Sequence, residues 1–272
     1  MKRAPAPPHA MDLGLRGRTA AVMAASEGIG RAVADRLAEA GCDLVLCARR
    51  EAPLFEAARE IEKRSGVRVH AVVADVRELH DLERFFDAVE MEAGRLDILV
   101  TNHGGPPHGR LMDLTDDQWQ EAFDLIVLSV ARSIRLAVPL LEVRGGTVVN
   151  VVSTAAKQPI DDLTLSNTLR AAVCGLSKSA SLELAPRKIR VNCVLPGMTE
   201  TARLHALNLA RADEAGRSVD EVAAERAQGI PLSRAASPGE IADAVAFLAS
   251  ERAAYVTGQA WAVDGGLLRG TF

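Results

Sequence analysis

Residues 19–40, TAAVMAASEGIGRAVADRLAEA, decide the fold. They begin with a short apolar run, TAAVM, which is typical of a strand buried on both faces. After the run comes AASEGIG, and beyond it apolar residues recur at the spacing of an amphipathic helix. Gly28 and Gly30 would let the backbone approach a pyrophosphate, whose charge the free N–H groups at a helix start attract. This order of strand, glycines and helix predicts a phosphate-binding unit.

The same alternation continues along the chain. Six further apolar runs resemble buried strands and give, with the first, the set 19–23, 43–48, 68–74, 97–101, 147–152, 189–195 and 260–263. Amphipathic stretches lie between them, at 29–40, 51–64, 78–93, 116–142, 164–185 and 239–250. Strands that alternate with helices predict a parallel sheet covered on both faces. We therefore expect a single-domain, doubly wound α/β fold of the Rossmann type with about seven parallel strands.

Composition excludes several classes of protein. The 272 residues are 48% apolar and 25% charged, which is typical of a globular protein. The net charge is −4 and the basic residues are scattered, so we expect no nucleic-acid partner. No apolar run is long enough for a membrane helix, and the first ten residues do not resemble a secretory signal. The four cysteines lack metal-ligand spacing, which favours a reduced, cytoplasmic protein without a metal.

Two segments depart from the alternation. Residues 1–10 contain three prolines and are expected to form a flexible tail before a domain at 11–272. Residues 202–229 contain two helical patterns with no strand between them. Because ligands bind beyond the carboxyl ends of the strands, this insertion is interpreted as a helical lid with Gly197 and Gly229 as hinges. A plain surface insertion is the alternative.

Motifs along nearly the whole chain, about residues 11–266, resemble one family. They are AASEGIG at 24–30, Asp75 in VADV, TNHGG at 101–105, VVNVVS at 148–153, RVNCVLPGMTET at 190–201, IPLSR at 230–234 and YVTGQAWAVDGG at 255–266. In this order and spacing they resemble the short-chain dehydrogenase/reductase family, particularly its 3-oxoacyl-[acyl carrier protein] reductase-like members. The resemblance implies a nicotinamide cofactor, a small-molecule substrate and a homodimer or homotetramer formed through the helices at 116–142 and 164–185.

The resemblance also implies a set of cofactor-binding residues. The diphosphate loop is formed by Ser26, Gly28, Ile29 and Gly30, and the pair beside the adenine is Asp75 and Val76. Asn102 and Gly104 lie at a strand end. The segment at the nicotinamide carboxamide contributes Pro196, Gly197 and Thr201. The family's leading Thr-Gly is Met23-Ala24 here, so Ala24 stands where relatives have a glycine.

The end of the second strand bears on the choice between NADP(H) and NAD(H). An acidic residue about 20 positions after the glycines would hold a free ribose 2′-hydroxyl, whereas an arginine accommodates a 2′-phosphate. This sequence has Arg49 there, followed by Arg50 and Glu51. NADP(H) is therefore favoured, although a solvated arginine at a helix start would look the same.

The catalytic positions differ from the family's pattern. Ser153 matches the family's serine, but Ser166 stands where the tyrosine belongs and Arg170 where the lysine belongs. The helix asparagine corresponds to Ile126, and the only tyrosine of the chain, Tyr255, lies in another motif. The sequence resembles a subset of the family in which the Tyr-x-x-x-Lys pair is replaced in a similar way.

The replacement removes the usual proton donor. Serine is a much weaker acid than tyrosine, and an arginine stays protonated. Ser166 and Arg170 lie one helical turn apart, and Arg170 could hold a carboxylate, a phosphate or the cofactor ribose. His103 is another possible acid because a histidine titrates near neutral pH. Weaker alternatives are His108, Lys157, Asp161, Asp162 and His205.

Three functions remain open. The leading hypothesis is an NAD(P)-dependent oxidoreductase that interconverts a carbonyl and an alcohol at an atypical active site formed by Ser153, Ser166 and Arg170. The substrate could be anionic. A catalytically impaired NADP(H)-binding protein is the first alternative, and a non-redox lyase or isomerase on the same fold is the second.

Overall fold

One parallel sheet organises the protein, which is described here by a computed structural model for residues 12–271. The apolar runs form its strands: β1 (Thr19–Met23), β2 (Asp43–Ala48), β3 (Val69–Val73), β4 (Ile98–Thr101), β5 (Gly146–Val151), β6 (Ile189–Pro196) and β7 (Ala260–Val263). Their order is β3-β2-β1-β4-β5-β6-β7, and every pairing is parallel. The predicted seven-stranded, doubly wound sheet is confirmed. The predicted tail at 1–10 lies outside the described residues.

Helices connect the strands on both faces. They are α1 (Gly28–Glu39), α2 (Glu51–Ser65), α3 (Leu79–Ala93), α4 (Asp116–Phe123), α5 (Ser129–Leu141), α6 (Thr164–Leu184), α7 (Ala202–Ala215), α8 (Val219–Gln228) and α9 (Pro238–Ala249). α3, α5 and α6 pack on one face of the sheet, while α1, α2 and α9 pack on the other. No helix in residues 12–271 is long and apolar enough to cross a membrane.

The helical stretch predicted at 116–142 is interrupted. Residues Asp124–Leu128 form a π-helical turn between α4 and α5. Ile126, which the resemblance aligns with a family asparagine, lies in this turn and is fully buried in the core. The apolar pattern runs on through the turn, so periodicity alone did not reveal the change in helix type.

A chain of buried polar side chains ties α6 to the sheet. The Thr101 hydroxyl at the end of β4 donates to the Asn150 side-chain oxygen in β5 at 2.6 Å. The Asn150 amide donates to the Ser177 hydroxyl of α6 at 2.8 Å, and Ser177 donates to the Val173 carbonyl at 2.6 Å. Thr101, Asn150 and Ser177 are each 2% exposed or less. The network therefore fixes α6 against the middle of the sheet.

Replacement of Asn150 by alanine should lower the free energy of unfolding by about 2–4 kcal/mol, because Thr101 and Ser177 would lose buried partners. Denaturant unfolding of the purified variant measures this. Gln228→Ala removes an exposed amide and serves as the control, with no expected change. Equal stability of the Asn150 variant and the unmodified protein would contradict the assigned role.

Candidate active site

A crevice of about 450 Å³ opens where the strand order reverses, between β1 and β4. Doubly wound sheets bind ligands at this point. The crevice is lined by residues that follow β1, β2, β3 and β4 and by the start of α7. Among them are the predicted cofactor residues Ser26, Gly28, Ile29, Arg49, Val76, Asn102, Gly104 and Thr201.

Glycines make the floor of the crevice possible. Gly28 opens α1 with a φ of +58°, a conformation that side chains rarely adopt. A Cβ atom on Gly30 would lie 2.1 Å from the Ala24 carbonyl oxygen and 2.8 Å from the Asn102 side-chain nitrogen. Gly30 does not line the crevice itself; its missing side chain lets α1 pack against the ends of β1 and β4. The loop thus fits a diphosphate at the N-terminus of α1.

Ala24 carries strain in this loop. Its φ is +49°, in the left-handed region where alanine costs roughly 1–2 kcal/mol. Ala24 therefore holds a backbone conformation that a glycine adopts without strain.

The far end of the crevice is rich in arginine. Arg50 pairs with Glu27 at 2.7 Å, and Arg77 pairs with Asp75 at 2.7 Å. Burial acts to raise the pKa of Asp75, but the hydrogen bonds and charge of Arg77 outweigh it and the pKa is lowered. The Asp75 carboxylate is thus ionised, and Arg77 balances its negative charge. Asp75 does not line the crevice. Within the described residues Arg49 forms no ion pair, so its charge is free to face an anion.

The loop after β4 places His103 at the other end of the crevice. Its Nδ1 lies 2.6 Å from the Gly104 carbonyl oxygen. Burial lowers the pKa of His103 to about 3, and the positive charges of Arg170 and Arg203 add to the shift. The imidazole is neutral at pH 7, which argues against the hypothesis that it acts as a charged acid.

Arg170 contacts Ser166 and the backbone next to Ser153. From α6 its Nε donates to the Ser166 hydroxyl at 3.1 Å, and its Nη1 donates to the Val152 carbonyl, directly before Ser153. Burial lowers the pKa of Arg170 to about 10, helped by the charge of Arg203. The Ser153 hydroxyl follows β5 and accepts a hydrogen bond from the Ala155 amide at 3.1 Å.

The candidates lie beside the crevice, not in its wall. Ser153, Ser166 and Arg170 are absent from the residues that line it. His103 lines the crevice, and the charge of Arg170 contributes to the lowering of its pKa. The loop that leads into α6 is held by Asn167, whose side chain exchanges two hydrogen bonds with the Ile160 backbone at 2.9 and 3.1 Å.

The predicted lid begins at the crevice. Thr201 caps α7, accepting a hydrogen bond from the Leu204 amide, and a Cβ on Gly28 would lie 3.4 Å from its methyl carbon. Pro196 and Gly197 lie farther back, at the end of β6, and do not line the crevice. The Gly197 amide donates to the Val263 carbonyl at 3.0 Å.

Arg203 is a site residue that the sequence reasoning missed. It lies two positions after Thr201 and lines the crevice from α7. The only signal in the sequence was that Arg203 closely follows Thr201, the last residue of the matched motif.

The fold and the crevice define the class of protein, a doubly wound α/β protein with a glycine loop at its switch point. A family model described as enoyl-(acyl carrier protein) reductase matches residues 23–268. Dehydrogenase/reductase SDR family member 4 of Oryctolagus cuniculus is 36% identical over 254 residues, 93% of this chain and 94% of that protein. The chain belongs to the short-chain dehydrogenase/reductase family.

Solved structures agree with this assignment. L-sorbose reductase from Gluconobacter frateurii, complexed with NADPH and L-sorbose, is 35% identical with a TM-score of 0.93, over 96% of this chain and 100% of that one. An NADPH-bound short-chain oxidoreductase from Pseudomonas aeruginosa PAO1, which contains an atypical catalytic center, is also 35% identical. Its TM-score is 0.86, over 93% of this chain and 98% of that one.

Replacement of Ala24 by glycine should raise the free energy of unfolding by about 0.5–1 kcal/mol, because relief of the left-handed strain exceeds the entropy cost of a glycine. Thermal or denaturant unfolding measures the change. The neighbouring Ala25→Gly is the matched control: Ala25 has no positive φ and is fully buried, so its replacement should destabilise the protein. A loss of stability in the Ala24 variant would show that the turn is unstrained.

Proposed function

We propose that the protein is an NADPH-dependent oxidoreductase that interconverts a carbonyl and an alcohol through an atypical active site. The observation that carries this proposal is the crevice between β1 and β4, where the strand order reverses. The glycine loop lines one side of it, and the hydrogen-bonded pair of Ser166 and Arg170 lies beside its other end. In this proposal Ser166 and Arg170 replace the family's Tyr-x-x-x-Lys pair, as in the subset that the sequence resembles.

The residues of the crevice fit the cofactor. The backbone at Gly28 and the Ser26 hydroxyl would hold the diphosphate, Val76 would contact the adenine, and Arg49 would bind a 2′-phosphate. Asn102, Gly104 and Thr201 would contact the nicotinamide half. When bound, the nicotinamide supplies or accepts the hydride. The NADPH named for the two similar solved structures supports this choice.

The side chains beside the crevice would act on the carbonyl oxygen. Because Arg170 donates to the Ser166 oxygen, the Ser166 hydroxyl proton is free to point at an acceptor such as the substrate oxygen. Ser153 offers another hydroxyl and directly follows Val152, whose carbonyl Arg170 binds. The two hydroxyls would polarise the substrate oxygen, and the charge of Arg170 would stabilise the negative charge that develops on it. The alkoxide formed by hydride transfer would take the Ser166 hydroxyl proton, which solvent would replace.

The remaining predictions from the sequence belong to the same proposal. Residues 202–229 would serve as a lid, because α7 begins at the crevice and α7 and α8 bury only Asn208, Ala212 and Val222. A homodimer or homotetramer would form through α4, α5 and α6, on which Phe123 and Leu182 expose apolar side chains. The domain would span 11–272.

One observation favours a second function. The catalytic candidates stand outside the crevice wall. His103 is the one histidine among the described residues that line the crevice, and burial lowers its pKa to about 3. A protein that binds NADP(H) without turning over a substrate would have these features. It would bind the nucleotide but reduce no carbonyl.

Replacement of Arg49 by alanine should weaken NADPH binding by about 10- to 100-fold and leave NADH binding unchanged, because only NADPH carries the 2′-phosphate. Titration of nicotinamide fluorescence measures both dissociation constants. Arg59→Ala, which removes an exposed cation of α2 outside the crevice, is the control and should change neither. Unchanged NADPH binding would contradict the role of Arg49.

Replacement of Ser153 or of Ser166 by alanine should each lower kcat by about 100-fold, since each removes a hydroxyl from the developing charge. NADPH oxidation with the best substrate of a carbonyl screen measures it, and NADPH binding should stay unchanged. Thr168→Ala, on the exposed side of α6, is the control. NADPH binding without turnover of any carbonyl by the unmodified protein would favour the second function instead.

A further inference from the structure

A second cleft, of about 500 Å³, opens at the amino ends of the strands, at the opposite edge of the sheet from the crevice. Residues at the starts of β4, β5 and β6 line it, together with the end of α9. Leu15, Ile98 and Ile189 contribute an apolar part to its wall. None of the described cofactor or catalytic candidates lines it. Its size suits a small organic molecule.

Thr147 brings an unpaired hydroxyl to the second cleft. It is the second residue of β5 and only 2% exposed. Its amide donates to the Asp97 carbonyl at 3.0 Å, but its hydroxyl has no hydrogen-bond partner among the described residues. A buried hydroxyl without a partner is costly. A ligand that accepts a hydrogen bond from Thr147 would remove that cost.

Cations outnumber carboxylates in the wall of the second cleft. The charged residues that line it are Arg18, Arg144, Lys188 and Arg190 against Asp97 and Glu251. Arg18 pairs with both carboxylates, at 3.0 and 2.6 Å. The other three cations form no ion pair within residues 12–271. The wall therefore has an excess of positive charge in a chain whose net charge is −4.

Arg190 lies beside the unpaired hydroxyl. It is the register partner of Thr147 in the parallel pairing of β5 with β6, so the two side chains share one face of the sheet. Its guanidinium donates to the Val256 and Ser250 carbonyls at 3.1 and 3.2 Å. These two hydrogen bonds to main-chain atoms fix the position of the charge without neutralising it.

Lys188 holds a strained backbone conformation at the same place. Its φ is +59°, in the left-handed region that a glycine adopts without strain. A Cβ atom on Gly145 would lie 2.9 Å from the Lys188 Cβ atom, and the Gly146 amide donates to the Lys188 carbonyl at 3.1 Å. The turn before β6 thus sets a lysine directly against the start of β5, at a conformational cost that a glycine would avoid.

We propose that the second cleft binds a small organic phosphate. The phosphate group would accept a hydrogen bond from Thr147 and would be held by the three cations without ion pairs. A phosphate monoester carries about two negative charges at neutral pH, which matches this excess of cations better than a single carboxylate does. The apolar part of the wall would contact the organic part of the ligand. The site is separate from the crevice and does not depend on the proposed function.

Calorimetric titration with phenyl phosphate tests the proposal, with inorganic phosphate and phenol as probes of its two halves. The unmodified protein should bind phenyl phosphate, bind inorganic phosphate more weakly and bind phenol not measurably. Saturation with NADP⁺ should leave the affinity for phenyl phosphate unchanged, because the nucleotide would occupy the crevice at the other edge of the sheet.

Variants of two residues identify the site. Thr147→Val keeps the shape but removes the hydroxyl, so it should weaken binding about tenfold while the free energy of unfolding stays equal or rises. Thr147→Ser restores the hydroxyl and should bind about as tightly as the unmodified protein. Lys188→Gly removes the charge together with the strain, so binding should weaken about threefold without a loss of stability. Arg16→Ala removes an exposed cation before β1, outside the second cleft, and is the matched control.

The opposite results overturn the proposal. Absence of phenyl phosphate binding, or equal binding by Thr147→Val and Lys188→Gly, would show that the second cleft is not an anion site. Loss of binding in the presence of NADP⁺ would place the phosphate in the crevice. Equal affinity for inorganic phosphate would overturn the choice of an organic ligand. Failure of the proposed function is distinct, since it would appear as absent NADPH binding or absent carbonyl turnover.

Discussion

The buried amide of Asn150 is the interaction on which the arrangement of the site depends. It joins β4 through Thr101 and α6 through Ser177, in a part of the core where water does not reach. An unpaired amide there would be costly, so the network admits one position of α6 on the sheet. Ser166 and Arg170 project from the first turns of that helix. Their distance from the loop after β4 is therefore set by the position of α6 on the sheet.

The fold was largely predictable because parallel strands buried on both faces leave a strong pattern in the sequence. The runs at 19–23, 43–48 and 260–263 match the observed strands residue for residue. The π-helical turn at Asp124–Leu128 was not predictable in the same way. Its apolar residues still face the core, so the hydrophobic pattern is the same as in a continuous helix.

The site was predictable only where short segments determine it. The glycine loop is local, and its residues Ser26, Gly28 and Ile29 line the crevice, whereas Gly30 packs behind them. Asp75 was expected beside the adenine, but Arg77 two positions later engages its carboxylate. The contact of Arg203 with the loop after β4 joins residues 97 positions apart, and no local pattern reveals such a contact. The roles of Ser153, Ser166 and Arg170 remain predictions.

The Ser166–Arg170 pair has a consequence for how the site responds to acid and base. The pKa of Arg170 is about 10 and that of His103 about 3. Between about pH 5 and 8, where an unperturbed histidine changes its charge, neither group gains or loses a proton. The electrostatic potential that these two groups create is therefore constant across the physiological range. A change of activity with pH in that interval would therefore originate in the substrate or in titratable groups other than these two.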